Sequence, residues 1–238
     1  MLSYVAQKLK GVVCMNGVTV QLQRENVQAK TKSYDLYNFI KRTFDILVSG
    51  LSLIILSPIL LVIALLIRLD SEGPAIFKQR RIGKDGRDIY IYKFRSMVLN
   101  AEELLEKMMK ENEDIRNEYL TNKKLKNDPR VTKIGNILRK TSLDELPQLL
   151  NIFNGDMTFV GPRPYLHREI TDMGYHYNDI IKMTPGLTGL WQVNGRSDVG
   201  FKDRCELDSI YYQIRGLKTD LKILFKTFVT VIKRSGAK

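Results

Sequence analysis

The sequence contains few of the side chains that bind transition metals or form disulfides. Its 238 residues include two cysteines and two histidines: Cys14, Cys205, His167 and His176. The cysteines lie far apart and no Cys-x-x-Cys spacing occurs, so the sequence indicates neither a disulfide framework nor a zinc knuckle. Two histidines also argue against a multi-histidine metal centre.

Acidic residues are scarce relative to basic ones. The chain has 26 Asp and Glu against 38 Lys and Arg, which gives a formal net charge of +12 at pH 7. This excess suggests an anionic partner such as nucleic acid, lipid head groups or a phosphorylated small substrate. Because the basic residues are spread around an apolar segment and no nucleic-acid-binding signature occurs, we predict no nucleic-acid partner.

Charged residues are absent from residues 46–67, an apolar segment of 22 residues. A run of this length normally spans a bilayer, since about 20 apolar residues at roughly 1.5 Å each cover the hydrocarbon core. The segment is too long for the apolar part of a signal peptide, and no small-residue cleavage pattern follows it. We therefore expect it to remain in the mature protein.

The flanks of this segment leave its path through the membrane open. Both flanks are basic, so a true span would place one basic cluster on the non-cytoplasmic side. Pro58 kinks a helix, and Ser57 can donate a hydrogen bond to a carbonyl freed by the kink. Both an ordinary span with a proline kink and a re-entrant helix broken at Ser57 and Pro58 fit these patterns.

The remaining patterns predict an α+β fold that is mostly helical. A helix starting near Ser33 or Asp35 leads into the apolar segment, and a β-hairpin follows, with its turn at residues 84–86. Further helices are predicted over the charged stretch near residues 100–120, over the amphipathic stretch before residue 141, over a short stretch ending at residue 155, and over a C-terminal amphipathic stretch. The Pro- and Gly-rich stretches 159–166 and 184–196 are predicted as compact loops. We predict an extension over residues 1–33, a re-entrant membrane helix over 34–70 and a cytosolic catalytic domain over 71–238.

The strongest candidates for chemistry are Asp144 and Glu145, two adjacent carboxylates in "RKTSLDELPQLLN". One carboxylate can act as a nucleophile while the other holds a divalent cation shared with substrate phosphates. Arg139 is close enough in sequence to offset their mutual repulsion. The same residues also fit a capping box that begins at Ser142, so a purely structural interpretation stands beside the catalytic one.

Other candidates are basic or amide side chains that could bind an anionic substrate, and one further carboxylate: Lys93, Arg95, Arg139, Asp156, Arg163, Gln192 and Arg196. Arg163 lies between two prolines, which fix the backbone of a residue suited to meeting a phosphate. The structural alternatives are a buried arginine at 163, an exposed basic edge at 93 and 95, a turn cap at 156 and a surface turn at 192–196.

Several motifs occur together in one order, from about Lys41 to Gly236. They are Lys-Arg-x-x-Asp at residues 41–45, the apolar segment with Ser57 and Pro58, "KFRSM", "RKTSLDELPQL", "NGDMTFVGPRP", "PGLTGLWQVNGR" and "KRSG". This series resembles the bacterial sugar transferase family, the monotopic phosphoglycosyl transferases. Long members of that family carry four added spanning helices and a further domain. Residues 1–33 are too short for those, so the chain resembles the short form.

The resemblance implies transfer of a sugar 1-phosphate from a UDP-sugar to polyprenyl phosphate, with release of UMP. It implies Asp144 as the nucleophile, Glu145 as a Mg²⁺ ligand and a covalent phosphosugar intermediate. "TGLWQVNGRSD" and "ELDSIYY" are nearer to the hexose-transferring members, which favours galactose or glucose. The expected place is the cytoplasmic face of a bacterial inner membrane, at the first membrane step of polysaccharide assembly. An inactive membrane-anchored scaffold of the same fold is the alternative, and a homo-oligomer is left open.

Overall fold

The computed structural model describes residues 17–122, 125–194 and 199–232. By its internal contacts the chain divides into two units, Met1–Lys41 and Arg42–Lys238. Within the first unit, the Lys41 ammonium donates a hydrogen bond to the Tyr37 hydroxyl at 3.3 Å, one helical turn away. The second unit holds the β-strands and all but one of the described helices. The fold is mostly helical, as predicted.

The first helix, α1, runs over Gly17–Asp70 and includes the apolar segment. It begins earlier than predicted, because residues 17–33 are helical as well. Residues 1–16 lie outside the described part. The helix also continues through Pro58, where the Ser57 hydroxyl donates to the Ile54 carbonyl at 2.8 Å. The backbone therefore stays helical through Ser57 and Pro58, and the re-entrant bend at these residues stays a prediction.

In the second unit, α1 contacts the remaining chain at both ends of its apolar segment. At the start, the Arg42 guanidinium donates to the carbonyls of Ile152 and Phe153 at 2.6 and 2.7 Å. At the end, Ile63 and Ile67 pack in one cluster with residues of the hairpin and of the helix over residues 133–141. Leu53 and Leu56 pack against a second buried cluster between these ends. One face of α1 is thus covered along residues 42–67.

The predicted hairpin is confirmed as strands β1, Ile76–Ile82, and β2, Asp88–Phe94, paired antiparallel with Ile76 opposite Phe94. A single helical turn, Lys84–Gly86, joins them, with Asp85 and Gly86 at positive φ. Side chains alternate along β2, and the inward ones include Ile89 and Ile91, which are buried. By the same alternation Lys93 lies on the face of Ile89 and Ile91, and its side chain is half-buried.

The predicted charged helix is two helices, α2 over Ala101–Glu111 and α3 over Glu113–Asn122. Asn112 separates them, since its side-chain oxygen accepts hydrogen bonds from the amides of Asp114 and Ile115 at 2.9 and 3.2 Å. This is N-cap geometry, which starts a new helix where the charge pattern alone predicts a continuous one.

Helices α4, Lys133–Thr141, and α5, Gln148–Asn154, confirm the two predicted short helices, and a single turn over Leu143–Glu145 lies between them. The Thr132 hydroxyl caps α4 by accepting from the Gly135 amide at 2.9 Å. Helix α5 ends at Gly155, whose φ of 90° is the left-handed conformation expected of a glycine stop.

Two segments predicted as loops contain a second sheet. Strands β3, Thr158–Val160, and β4, Gly186–Thr188, pair in parallel. Each is three residues long, too short for an alternating pattern to be recognised. The short helices α6, Ile170–Met173, and α7, Tyr177–Ile180, lie between them in sequence.

Helices α8, Phe201–Ile214, and α9, Leu217–Ile232, complete the described chain. The apolar face predicted for α9 is divided in the structure. Leu224 is half-buried, whereas Leu221, Phe225 and Phe228 are each at least 64% exposed. The core contact of α9 is instead made by Ile223, in a cluster with Val160 and Tyr211.

Gly135 in α4 is a position where no side chain fits. A Cβ there would lie inside van der Waals contact of the Ser96 carbonyl oxygen, which also accepts a hydrogen bond from the Thr132 amide. In a helix with free space, alanine is more stabilising than glycine by about 1 kcal/mol. At position 135 the overlap with Ser96 makes alanine the less stable residue.

We therefore expect Gly135→Ala to lower the free energy of unfolding by about 2 kcal/mol, measured by denaturant unfolding in detergent. Asn136→Ala, at the neighbouring exposed position, should leave stability within about 0.5 kcal/mol of wild type. Equal stability of the two variants would contradict the close approach.

Candidate active site

The two predicted catalytic carboxylates lie on the single helical turn between α4 and α5. Ser142 starts this turn with φ of 59° and ψ of 18°, a left-handed conformation that is uncommon for a residue with a side chain. Its amide donates to the carbonyls of Leu138 and Arg139, which closes the C-terminus of α4. Backbone conformations of this kind cluster at functional sites.

The capping-box alternative is wrong. A capping box requires the Ser142 side chain to accept a backbone hydrogen bond, and it makes no such cap hydrogen bond. Instead, Glu145 Oε1 lies 2.6 Å from the Lys93 ammonium on β2. The Glu145 carboxylate is thus paired with a side chain of another element and does not cap the helix that it precedes.

The electrostatics of Asp144 differ from those of an ordinary carboxylate. Burial, followed by the neighbouring charge of Glu145, raises the pKa of Asp144 to about 6. Lys93 and Arg139 act in the opposite direction and favour the ionised form. The carboxylate is therefore more basic than usual yet largely ionised above neutral pH, the state that a nucleophile requires.

Arg139 is fixed beside this turn. Its Nε donates to the Ser96 hydroxyl at 2.9 Å, and burial lowers the pKa of its guanidinium while Asp144 raises it. Lys93 and Arg139 approach the carboxylates from β2 and α4 respectively. The structure therefore brings Lys93, Arg139, Asp144 and Glu145 together at one turn.

Arg95 does not belong to that cluster. It is 5% exposed, and its guanidinium donates to the Ser71 hydroxyl and to the carbonyls of Ser71, Glu72, Gly73 and Pro74. These bonds hold the segment that joins α1 to β1. The structure thus gives Arg95 a structural role where the sequence predicted a substrate contact.

Arg163 lies on the turn after β3, and its surroundings are rich in guanidinium groups. Arg81 is buried, and burial and then the charge of Arg163 lower its pKa to about 9. Burial and then Arg163 also lower the pKa of Arg204. Glu169 and Glu145 act on Arg81 in the opposite direction, so the two carboxylates and the arginines share one electrostatic environment.

Arg81 and Arg204 were not predicted from the sequence. Arg81 Nη1 donates to the Pro164 carbonyl at 3.0 Å, and the Arg204 guanidinium lies 5.0 Å from the ring centre of Trp191. Neither occurs in a recognisable motif, because each is defined by a contact distant in sequence. The only sequence signal was the position of Arg81 in the basic flank of the apolar segment.

The remaining predicted site residues lie elsewhere or outside the described part. Asp156 follows the C-terminal end of α5, whereas the turn that carries Asp144 and Glu145, here called the carboxylate turn, precedes the N-terminal end. Asp156 Oδ1 lies 3.9 Å from the Arg87 guanidinium. The Gln192 side-chain amide faces the Leu187 carbonyl at 3.5 Å, and its Oε1 is buried without a hydrogen-bond partner in residues 17–122, 125–194 and 199–232. Arg196 lies outside the described residues.

A magnesium ion fits this site by its chemistry. Within the described part of the chain, no group of three or more His, Cys, Asp or Glu side chains could enclose a metal. Mg²⁺, however, commonly binds one or two carboxylates and completes its shell with water and substrate phosphate oxygens. Glu145 supplies one such carboxylate, and a cation held there would also offset the repulsion between Glu145 and Asp144.

Comparison with known proteins identifies the family. The profile described as Bacterial sugar transferase matches residues 36–234. The chain belongs to the bacterial sugar transferase family. Named members of this family are transferases, so the cluster around Asp144 is a candidate active site and not only a helix start.

Three relatives illustrate the range of this bacterial sugar transferase family. The undecaprenyl-phosphate galactose phosphotransferase of Salmonella typhimurium is 44% identical over 220 residues, 91% of this chain and 44% of its own length. The UDP-glucose:undecaprenyl-phosphate glucose-1-phosphate transferase of Escherichia coli is 40% identical over 79% of this chain and 39% of its own length. The exopolysaccharide production protein ExoY of Sinorhizobium fredii is 43% identical over 83% of this chain and 87% of its own length. The chain thus spans less than half the length of several curated relatives.

The contacts of Arg95 lead to a test of its role. A lysine has one nitrogen and cannot satisfy the carbonyls that the guanidinium reaches. We expect Arg95→Lys to lower the free energy of unfolding by at least about 2 kcal/mol, measured by denaturant unfolding in detergent.

The control is Arg80→Lys on the neighbouring strand, where the exposed arginine pairs with Asp88. That change should leave the free energy of unfolding close to the wild-type value, because an ion pair in solvent contributes little. A stability of Arg95→Lys equal to that of the control would contradict the structural role.

Proposed function

We propose that this protein transfers a hexose 1-phosphate from a UDP-sugar to polyprenyl phosphate, with release of UMP. The observation that carries the proposal is Asp144. This carboxylate lies on a left-handed turn, its pKa is raised to about 6, and the charges of Lys93 and Arg139 act on it. A nucleophile for phosphoryl transfer needs this combination of ionisation, basicity and nearby cations.

In the first step, an Asp144 oxygen attacks the phosphorus that carries the sugar. The bond from that phosphorus to the oxygen bridging the two phosphates breaks, and UMP leaves with the bridging oxygen and the bonding electron pair. The product is a mixed anhydride between the aspartate and the sugar phosphate. Lys93 and Arg139 offset the charge that accumulates on the phosphoryl oxygens.

In the second step, an oxygen of polyprenyl phosphate attacks the same phosphorus. The bond to the aspartate oxygen breaks, which regenerates the Asp144 carboxylate and forms the lipid diphosphate sugar. When bound at Glu145, Mg²⁺ would neutralise part of the diphosphate charge. Arg163, on its proline-flanked turn, is assigned to the diphosphate of the nucleotide sugar.

Relatives named as galactose and glucose transferases support a hexose donor. The ExoY relatives are named for exopolysaccharide production, which supports a role at the first membrane step of polysaccharide assembly. Both UDP-galactose and UDP-glucose are donors to be tested. The described contacts around Asp144 are made by charged groups suited to phosphate, and they do not distinguish one sugar from the other.

The contacts of α1 support a monotopic arrangement on one membrane face. Among the described residues, one helical segment, Tyr34–Asp70, is long and apolar enough to cross a membrane. Residues 42–67 cover about 38 Å of helix at roughly 1.5 Å per residue, more than the hydrocarbon core of about 30 Å. A single water-soluble domain that contacts α1 along this whole length cannot lie on both sides of a bilayer.

Exposed apolar side chains on other helices support the same arrangement. Leu221, Phe225 and Phe228 are exposed on α9, and Leu150 and Phe153 are about 40% exposed on α5, the helix that follows the carboxylate turn. Such side chains insert into the head-group region of a membrane. We place the protein on the cytoplasmic face of the inner membrane, where a soluble nucleotide sugar and a lipid phosphate can meet.

The alternative is an inactive scaffold that retains the fold. The intact cluster of Asp144, Glu145, Lys93 and Arg139 favours the enzyme, because a scaffold has no need for a buried carboxylate with a raised pKa. Nucleic-acid binding has no supporting feature in the described residues.

The proposal is tested by incubating purified protein in detergent with Mg²⁺ and either UDP-galactose or UDP-glucose. Without acceptor, we expect release of at most one UMP per protein and a mass increase of one hexose phosphate on the peptide that contains Asp144. Adding undecaprenyl phosphate should start turnover, and EDTA should stop it. Asp144→Asn should abolish the mass increase and lower turnover by about 10³-fold or more.

Asp114→Asn, an exposed carboxylate at the start of α3, is the matched control and should retain wild-type turnover. Full turnover by Asp144→Asn would overturn the covalent mechanism. Absence of UMP release by the wild type with every UDP-sugar supplied would favour the scaffold.

Sidedness is tested with single cysteines introduced as Asp35→Cys and Lys84→Cys in a protein that carries Cys14→Ser and Cys205→Ser. We expect a membrane-impermeant maleimide to label neither variant in intact spheroplasts and both after lysis. Labelling of Asp35→Cys in intact cells would show that the apolar segment spans the bilayer.

A further inference from the structure

The turn that carries Arg163, residues 161–165, is held by groups outside it. Three hydrogen bonds reach its carbonyl oxygens: from the Gly186 amide to Pro162 at 2.7 Å, from Arg81 Nη1 to Pro164 at 3.0 Å and from the Ile82 amide to Tyr165 at 2.9 Å. The flanking prolines restrict the backbone further, because each fixes its own φ. The backbone of this turn is therefore rigid on both sides of Arg163.

The amide of Arg163 itself is held by Asp208, a fully buried residue of α8. Asp208 Oδ2 accepts hydrogen bonds from the Arg163 amide at 3.0 Å and from the Tyr165 hydroxyl at 2.9 Å. One carboxylate oxygen thus joins the backbone of Arg163 to a side chain two residues later. This contact comes from a helix 45 residues further along the chain.

This arrangement is costly for the folded state. Asp208 Oδ1 is buried and has no hydrogen-bond partner in the described part of the chain, and burial raises the pKa of Asp208 to about 7. A buried carboxylate with one unsatisfied oxygen is destabilising relative to a neutral or apolar residue. Costly polar groups in a core are commonly retained where they orient a functional side chain.

We propose that Asp208 is a positioning residue for the nucleotide-sugar site, acting through Arg163. Its carboxylate fixes the Arg163 amide, and its negative charge lies close enough to the Arg163 guanidinium to interact with it. Arg163 is thereby held ready for the diphosphate of the donor before the donor binds, which reduces the entropy lost on binding. The inference rests on the proposed transferase activity.

A double-mutant cycle tests this role. Asp208→Asn, Arg163→Ala and the double variant are purified, and kcat and the KM values for UDP-sugar and undecaprenyl phosphate are measured. We expect Asp208→Asn to raise the donor KM about 10-fold, a value within the usual range for coupled neighbours, and to leave the acceptor KM unchanged. In the Arg163→Ala background, Asp208→Asn should have no further effect on the donor KM.

Asp220→Asn is the matched control. Asp220 is also buried and accepts a hydrogen bond from a buried tyrosine hydroxyl, that of Tyr211, at 2.6 Å. It lies on α9, and its partner Tyr211 belongs to α8 and lies outside residues 161–165. We expect this variant to lower thermal stability and to leave the donor KM at the wild-type value.

Tyr165→Phe keeps the experiment decisive if Asp208→Asn does not fold. It removes one of the two hydrogen bonds to Asp208 Oδ2, so it should raise the donor KM by a smaller factor that also vanishes in the Arg163→Ala background. Independent, multiplying effects of positions 208 and 163 would overturn the inference. A change in thermal stability alone, as expected for the control, would also overturn the inference. In either case, UMP release by the wild-type protein would leave the proposed function standing. A wild-type protein without UMP release would overturn both.

Discussion

The side chain of Asn151 is the contact on which the geometry of the site depends. From the first turn of α5, its amide nitrogen donates to the Tyr90 carbonyl at 2.7 Å, and its oxygen accepts from the Tyr92 amide at 2.9 Å. Asn151 is fully buried, and it pairs with the edge of β2 as a neighbouring strand would. Its own carbonyl accepts the amides of Gly155, Asp156 and Met157, which ends the helix. One residue therefore sets both the distance of α5 from the hairpin and the point where the chain turns into β3.

The position of the carboxylate turn depends on this contact of Asn151 with β2. Lys93 comes directly after the part of β2 that is hydrogen-bonded to Asn151, and Glu145 comes shortly before α5. Joining α5 to β2 therefore places the Lys93 ammonium 2.6 Å from Glu145 Oε1. Arg139 approaches from α4, whose close contact with the Ser96 backbone requires glycine at 135. The cations beside Asp144 thus depend on backbone contacts more than on their own side-chain pairing. An exposed ion pair alone would be too weak to hold such a geometry.

Much of this organisation could be predicted from local patterns, and the failures have physical causes. The hairpin, α4, α5 and the Asp144–Glu145 pair have local signals, such as a turn at residues 84–86 and a glycine stop at 155. The strands β3 and β4 are too short for a period, and they form because they pair with each other across 25 or more residues. Arg95 was predicted by alternation to be a binding residue, but strand alternation places a side chain on a face without saying which groups lie opposite. Arg81 had only its place in the basic flank as a signal, and no pattern gave Asp208 a role, since both act through partners distant in the sequence.

The covered face of α1 has a consequence for biogenesis. Leu53, Leu56 and Ile63 lie against residues of the hairpin and of α4 and α5, which are synthesised after them. Until the chain has been made to about residue 160, this mostly apolar face lacks the residues of the hairpin, α4 and α5 that pack against it. With the proposed membrane location, folding of the later residues is coupled to insertion: lipid or a chaperone covers this face of α1 first, and the growing domain then displaces that cover from one side only.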